Sequence, residues 1–243
     1  MESDLVEHAS PRATVLVPAA GRGSRMGGTR KQYRMLGGAS LLVRTLQVLQ
    51  ASPAIDHIVV AAPESDVDGL TERLGAQDIH KLHALVRGGA SRQASVAAAL
   101  AAVPDGTDIV VVHDAVRPFV PPSCIERVVD TARRGGAASL AVPATDTLRR
   151  GRDDVFGETV DRSGLYRMQT PQAFRAAWFR EAHRAARAEG YIGTDDVALL
   201  QRMGREVTIV AGSPMNIKIT TLDDWLLAEA LWAMRETNRA EDS

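Results

Sequence analysis

The chain predicts an α/β fold, a mostly parallel sheet with helices on both faces. Three observations carry that expectation. Short strand runs alternate with helical patterns along most of the 243 residues, which is how βαβ units are written in sequence. Runs such as Thr14–Val17 and Ile109–Val112 are β-branched and apolar on consecutive residues, as strands buried on both faces are. A glycine-rich basic loop follows the first run, past the carboxyl end of a strand, where open α/β sheets place phosphorylated ligands.

The elements follow in order. After the strand Thr14–Val17, residues 40–50 have the helical spacing of Leu41, Leu42, Val43, Leu46 and Leu49, with Ser40 as the expected N-cap. Ile58–Ala62 reads as a strand, Ser65–Gly75 as a helix, and Ala84–Val86 as a short strand that leads into the turn Gly88-Gly89. Ser91 caps an alanine-rich helix reaching about Ala102. The strand Asp108–Val112 ends in His113-Asp114-Ala115-Val116-Arg117-Pro118, and a helix over about Ser123–Arg134 and a strand over Ala138–Val142 come next. From Pro143 to Gln172 polar, β-compatible residues without a helical period predict an extended β-arm, about residues 144–172. Helices are expected over about Arg175–Glu189, from about Thr194, and over Asp223–Met234, the last opened by a capping box of Thr221 and Asp224. Val207–Val210 and Asn216–Thr220 read as strands. The expectation is one Rossmann-like domain over residues 13–237 with frayed termini at 1–12 and 238–243.

Composition narrows the function. A net charge of -1 argues against a general nucleic-acid or membrane-surface role, which needs a basic excess, so the positive charge of the loop is local. A single cysteine, Cys124, allows no internal disulfide and suits a reducing compartment. Its setting at a helix start reads as structural. Acidic residues near the amino terminus and the lack of a long apolar run predict a cytoplasmic protein.

Four places could carry chemistry. Ala19 to Lys31 holds four glycines, three arginines and one lysine without an acid. It fits the dinucleotide fingerprint only at Gly21 and Gly23, since Met26 stands at the third glycine position, and no P-loop ending exists. What remains is a phosphate-binding loop with cations placed for phosphoryl or nucleotidyl transfer, or a solvated basic loop. Asp114, at a strand's carboxyl end, suits Mg²⁺, which takes one or two carboxylates plus substrate phosphates; capping the turn or pairing with Arg117 is the alternative. His113 reads as structural. The turn Gly88–Ser95 admits either a flat base against bare backbone or a simple strand-to-helix connection. Lys218 alternates with Ile217 and Ile219, as a site cation or a solvated lysine.

Together the residues Pro18–Met26 with Lys31, Gly88–Val96, His113–Pro118, Asp146-Thr147, Thr159–Arg162, Thr170–Gln172, Thr194–Asp196 and Asn216–Thr220 resemble the signatures of the sugar-phosphate nucleotidyltransferases. Among these the set is most similar to the 2-C-methyl-D-erythritol 4-phosphate cytidylyltransferases, over about Thr14–Leu231. The resemblance implies transfer of CMP from CTP to methylerythritol phosphate, with Mg²⁺ or another divalent ion. It implies that Pro18, Ala19, Ala20, Gly21, Gly23 and Ser24 wrap the triphosphate, that Arg25 and Lys31 stabilise the reacting phosphate with Lys218 as a further cation, and that Asp114 binds the metal. Gly89, Ala90 and Ser95 match cytosine-site positions. Thr147 and Arg162 match arm positions that reach the acceptor in the neighbouring subunit of a homodimer, with Arg117 nearby. In that family a proline usually precedes the loop lysine, whereas Arg30 precedes Lys31 here in a loop that looks one residue shorter. Two rival readings stand beside it: a cytidylyltransferase for another polyol phosphate such as ribitol 5-phosphate, and a non-catalytic nucleotide-binding module.

Overall fold

The structure, a computed structural model, describes residues 12–21 and 30–241. Residues 22–29, and with them the expected site residues Gly23, Ser24 and Arg25, lie outside the described residues, as does most of the amino-terminal stretch expected to fray. Seven strands form the central sheet: β1 (Arg12–Pro18), β4 (His57–Ala62), β5 (Leu82–Arg87), β6 (Thr107–Val112), β7 (Ala137–Pro143), β10 (Tyr166–Arg175) and β11 (Thr208–Ala211). They lie in the order β11-β7-β10-β6-β1-β4-β5. All neighbours are parallel except β10, which runs antiparallel to both β6 and β7.

The consecutive apolar residues of β1 face two cores. Val15 and Val17 join one cluster with Leu42, Leu46 and Leu49 of α1 (Leu41–Ala51) and Ile125, Val128 and Val129 of α4 (Pro122–Gly135). The short helix α2 (Val67–Gly75) adds Leu70 and Leu74 to the same face. Leu16 faces the other cluster, under Val96 and Ala99 of α3 (Arg92–Ala101), Phe179 and Ala182 of α5 (Ala176–Ala188) and Leu200 of α6 (Asp196–Arg202). A smaller third core joins Ile219 and Phe119 to Trp225 and Leu231 of α7 (Leu222–Glu241). It seats the chain around Lys218 against the end of β6.

Helix starts obey the expected caps. The side chains of Ser40 and Ser91 accept from the amides of Val43 and Ala94, and Asp195, which the pattern did not mark as a cap, accepts from the Ala198 amide. Thr221 and Asp224 form the reciprocal box: the Asp224 amide donates to Thr221 Oγ1 at 3.1 Å and the Thr221 amide to Asp224 Oδ2 at 2.8 Å. At the far end of α4 the chain turns at Gly136 with φ 91°, where a Cβ would lie 2.2 Å from the Trp178 ring, so only glycine fits.

Two local expectations are corrected. The arm narrows to a hairpin, β8 (Leu148–Arg152) and β9 (Val155–Val160), joined through Asp153 and Asp154 at φ 51° and 61°, the left-handed pair that a two-residue turn requires. Beyond it, Tyr166–Gln172 is the first part of β10, in the central sheet. Polar residues disguise this strand, yet Gln169, Thr170 and Gln172 are buried, and Gln169 Nε2 donates to Ser213 O at 2.8 Å. With no helix between β9 and β10 to carry the chain back across, β10 enters antiparallel. Asn216–Thr220 is not a strand. It follows a turn closed by the Asn216 amide on Ser213 O, and the Ile219 amide makes an isolated bond to Val116 O at 3.1 Å rather than a ladder. The short pair β2 (Met35–Leu36) and β3 (Ala39–Ser40) was not legible in the pattern. The last helix continues to Glu241, past the expected Met234.

Burial pushes His113 down to about 4, and burial with the Arg92 charge nearby does the same to His183. Each folded value lies below the unfolded value of about 6.5, so the unfolded chain binds more protons between those limits, and the stability present above about pH 6.5 is lost as pH falls toward 4. Each histidine should contribute a loss of about 1.4 kcal/mol per pH unit in that window. His183→Leu should remove about half of that combined slope, measured as the difference between urea midpoints at pH 7 and pH 5; an unchanged slope would show that His183 is not held neutral.

Candidate active site

The carboxyl ends of β1, β5 and β6 open onto one cavity of about 390 Å³. It collects ten of the expected site residues: Pro18, Ala19, Ala20 and Gly21 after β1, Lys31, then Gly89, Ala90 and Ser95 after β5, and Asp114 and Lys218. Arg117 sits behind Asp114, buried. Thr147 and Arg162 stand apart on the exposed arm, where the Arg162 guanidinium bonds Thr145 O.

Two local devices shape the walls. Gln32, buried beside Lys31, donates from Nε2 to Ala19 O at 2.7 Å and to Gly21 O at 3.2 Å. It ties the residues just after β1 to the short turn that carries Lys31. Across the cavity, Ser95 Oγ accepts from the Gly89 amide at 3.1 Å and donates to Ser91 O at 2.9 Å, which holds the glycine turn against the start of α3. The turn packs too tightly for side chains: a Cβ on Gly88 would lie 2.3 Å from Ala20 Cβ, and one on Gly89 2.4 Å from Ala94 Cβ. Bare backbone therefore faces the cavity, as a flat ligand needs.

The electrostatic centre is Asp114, only 6% exposed. Its Oδ1 receives Arg92 Nε at 3.2 Å, and its Oδ2 receives Lys218 Nζ at 2.9 Å and Arg117 Nε at 3.5 Å. Burial alone would raise this carboxyl; Arg92, Lys218 and Arg117 reverse that and hold it well below the usual carboxylate range. Arg92 Nη1 also meets Asp196 Oδ2 at 2.6 Å. Burial raises Asp196 above its ordinary range, with Arg92 opposing. Two carboxylates thus face Arg92, Arg117 and Lys218, and Lys31 adds a fourth cation to the wall. The excess is positive, so the cavity suits an anion.

His113 does not line the cavity. It is fully buried between Arg117 O, 3.1 Å from Nε2, and Thr170 Oγ1, 3.2 Å from Nδ1. Sequence reasoning passed over Arg92, Asp196 and Gln32. Arg92 and Asp196 lie within segments that carry the family resemblance, Gly88–Val96 and Thr194–Asp196, without a role of their own there. The signal that would have found them is their position next to turn residues already singled out.

The described residues contain no group of three or more His, Cys, Asp or Glu side chains able to hold a metal by themselves. A site with one carboxylate does fit an ion whose remaining ligands are water and ligand phosphates. The Asp114 oxygens offer about four acceptor positions and three donors occupy them, which leaves room for one further bond.

Comparison with known proteins agrees with this geometry. The family model for 2-C-methyl-D-erythritol 4-phosphate cytidylyltransferase (IspD) matches residues 13–234. A 2-C-methyl-D-erythritol 4-phosphate cytidylyltransferase of Salinibacter ruber is 56% identical over 218 residues, 90% of this chain and 92% of the relative. One from Pelotomaculum thermopropionicum is 47% identical over 236 residues, 95% of this chain and 98% of the relative. The crystal structure of the enzyme of that name from Thermus thermophilus superposes with a TM-score of 0.76 at 37% identity, covering 91% of this chain and 99% of the other. That of 4-diphosphocytidyl-2C-methyl-D-erythritol synthase from Anaerococcus prevotii gives 0.80 at 28% identity, covering 91% and 96%. With the family match running through both walls of the cavity and the arm, the chain belongs to the 2-C-methyl-D-erythritol 4-phosphate cytidylyltransferase family.

Proposed function

We propose that this chain transfers CMP from CTP to 2-C-methyl-D-erythritol 4-phosphate, giving 4-diphosphocytidyl-2-C-methyl-D-erythritol and pyrophosphate in non-mevalonate isoprenoid biosynthesis. The observation that carries the reading is the cation-rich cavity built around one carboxylate, beside a glycine turn with bare backbone. In this reading Gly89, Ala90 and Ser95 receive the cytosine, and the loop from Pro18 through Ser24 receives the triphosphate. Asp114 is the protein ligand for Mg²⁺ or another divalent ion, which when bound supplies positive charge to the triphosphate oxygens.

The chemistry needs no protein nucleophile. A phosphomonoester has a second pKa of about 6 and is largely dianionic at neutral pH, so an acceptor phosphate oxygen attacks the α-phosphorus directly. The new P–O bond forms as the bond to the β-phosphate oxygen breaks, and pyrophosphate leaves with the electron pair. Lys31, Arg25 and Lys218 neutralise charge on the oxygens of the transition state. That His113 does not line the cavity costs nothing here, because no general base is required.

The acceptor side belongs to a homodimer of single-domain subunits in the cytoplasm. Support comes from the hairpin, which has no core of its own and leaves Phe156 83% and Val155 69% exposed, an apolar tip of the kind a partner covers. Thr147 and Arg162 stand on that arm, away from their own cavity, as residues serving a neighbour's acceptor would.

Incubation with CTP, Mg²⁺ and either methylerythritol phosphate or ribitol 5-phosphate should release pyrophosphate faster with the first; equal or reversed rates would overturn the acceptor. Lys31→Ala and Arg25→Ala should each lower kcat about a hundredfold or more, the scale of about 3 kcal/mol for one lost transition-state contact, with the folded circular dichroism spectrum retained. Arg162→Ala should raise the KM for the sugar phosphate more than that for CTP in steady-state assays, and the opposite pattern would remove Arg162 from the acceptor site.

A further inference from the structure

Lys31 lines the cavity from the entrance of a single 3-10 turn, Lys31–Tyr33. The residues on either side of it are tied to different parts of the sheet edge. Gln32 holds the end of β1 through Ala19 O and Gly21 O. Arg30 reaches instead to Asp66, in the short turn Glu64–Asp66 that follows β4, where its Nη1 bonds Oδ2. The pair is partly exposed, with side-chain exposures of 33% and 19%. Ser65 Oγ donates to Asp66 Oδ1 at 2.7 Å, and the Tyr33 ring lies under Arg73 at 5.5 Å. Against the cost of burial, Ser65, Tyr33 and Arg30 together favour the charged form of Asp66, so the anchor is an anion at neutral pH.

Among the described residues Asp66 does not line the cavity, and its partners there, Arg30 and Ser65, do not line it either. Its connection to the chemistry runs through the backbone. Arg30 has φ -53° and ψ 127°, and its carbonyl accepts the Tyr33 amide at 2.9 Å, closing the turn that carries Lys31. A residue with a long, freely rotating side chain has no intrinsic reason to keep that one conformation. We infer that Asp66 is a positioning residue for Lys31: by clamping the Arg30 guanidinium it fixes the backbone one residue before the catalytic lysine. The inference rests on the proposed role of Lys31 and extends it to a residue of the next strand's loop. An ion pair at the surface would contribute little, but a displacement of about 1 Å in a reacting group costs on the order of a hundredfold in rate, so the consequence lies in turnover more than in stability.

The backbone angle supplies a test that a merely structural role would fail. Proline holds φ at about -65 ± 15°, a range that includes the observed value, so Arg30→Pro restores the same constraint without any ion pair. Asp66→Asn and Arg30→Gln, assayed by pyrophosphate release with CTP, Mg²⁺ and the sugar phosphate, should each lower kcat about tenfold while KM for CTP stays within about twofold. Adding Arg30→Pro to Asp66→Asn should bring kcat back to within about threefold of the parent. In a Lys31→Ala background Asp66→Asn should have no further effect, since it acts through that lysine. Unchanged kcat in both single variants, no recovery with proline, or a full additional loss in the Lys31→Ala background would each overturn the clamp. Pyrophosphate release by the parent protein separates the two ideas: its absence removes the proposed reaction, while its presence alongside an unaffected Asp66→Asn removes the clamp alone.

Discussion

A buried carboxylate has to be neutralised, and here the neutralising charges come from distant parts of the chain. Asp114 is desolvated at the end of β6 and stays ionised through Arg92 at the start of α3, Arg117 three residues on, and Lys218 more than a hundred residues later. Arg92 extends the network to Asp196 on α6. Removing one partner from such a cluster leaves an uncompensated buried charge, which is far more costly than losing a surface pair. The segments that build the cavity are thus bound to one another through the same cluster whose positive excess makes it attractive to phosphate. Architecture and electrostatics are one constraint.

The antiparallel strand β10 makes that arrangement possible. Because β10 lies directly beside β6, Thr170 comes under the turn after β6. Its Oγ1 accepts from the Asp114 amide at 3.0 Å, and Asn216 Nδ2 donates to its carbonyl at 2.8 Å. Asn216 O in turn accepts from Arg117 Nη1 at 2.7 Å. The run of polar residues in β10 is therefore a buried support for the Asp114 turn and for the coil that delivers Lys218. A strand of aliphatic residues in this place would leave the Asp114 amide without the Thr170 hydroxyl and the Asn216 side chain without Gln169 Oε1.

That also explains which features were legible in the sequence. Strands β1, β4 and β6 announce themselves because both of their faces are apolar, and the helices α1, α3 and α7 because their caps are local chemistry between residues three apart. Asp114, Lys31 and Lys218 could be picked out as charges beside turns. Strand β10 and the coil at Asn216–Thr220 were misread because their stability comes from side-chain hydrogen bonds between segments far apart in the chain, which no local period records. Arg92 and Asp196 escaped for the same reason: a guanidinium shared by two carboxylates 82 positions apart, Asp114 and Asp196, is a property of the fold.

The glycine-rich basic stretch shows where sequence pattern and three-dimensional support part company. Its glycines and cations state what kind of ligand is wanted, but composition alone does not place a charge, and catalysis needs it at one point. The chain supplies that localisation from outside the stretch. Gln32 and Asp66 hold the residues on either side of Lys31 to two neighbouring strands of the sheet, so the lysine takes its position from β1 and β4 together. These two strands are themselves in parallel register from Thr14 to Pro18 against His57 to Ala61, among the most deeply buried pairs in the protein. A cation carried on a glycine-rich connection is thereby referenced to the buried centre of the sheet. Reversing the arrangement, with anchors inside the loop, would have put side chains where the triphosphate is proposed to lie.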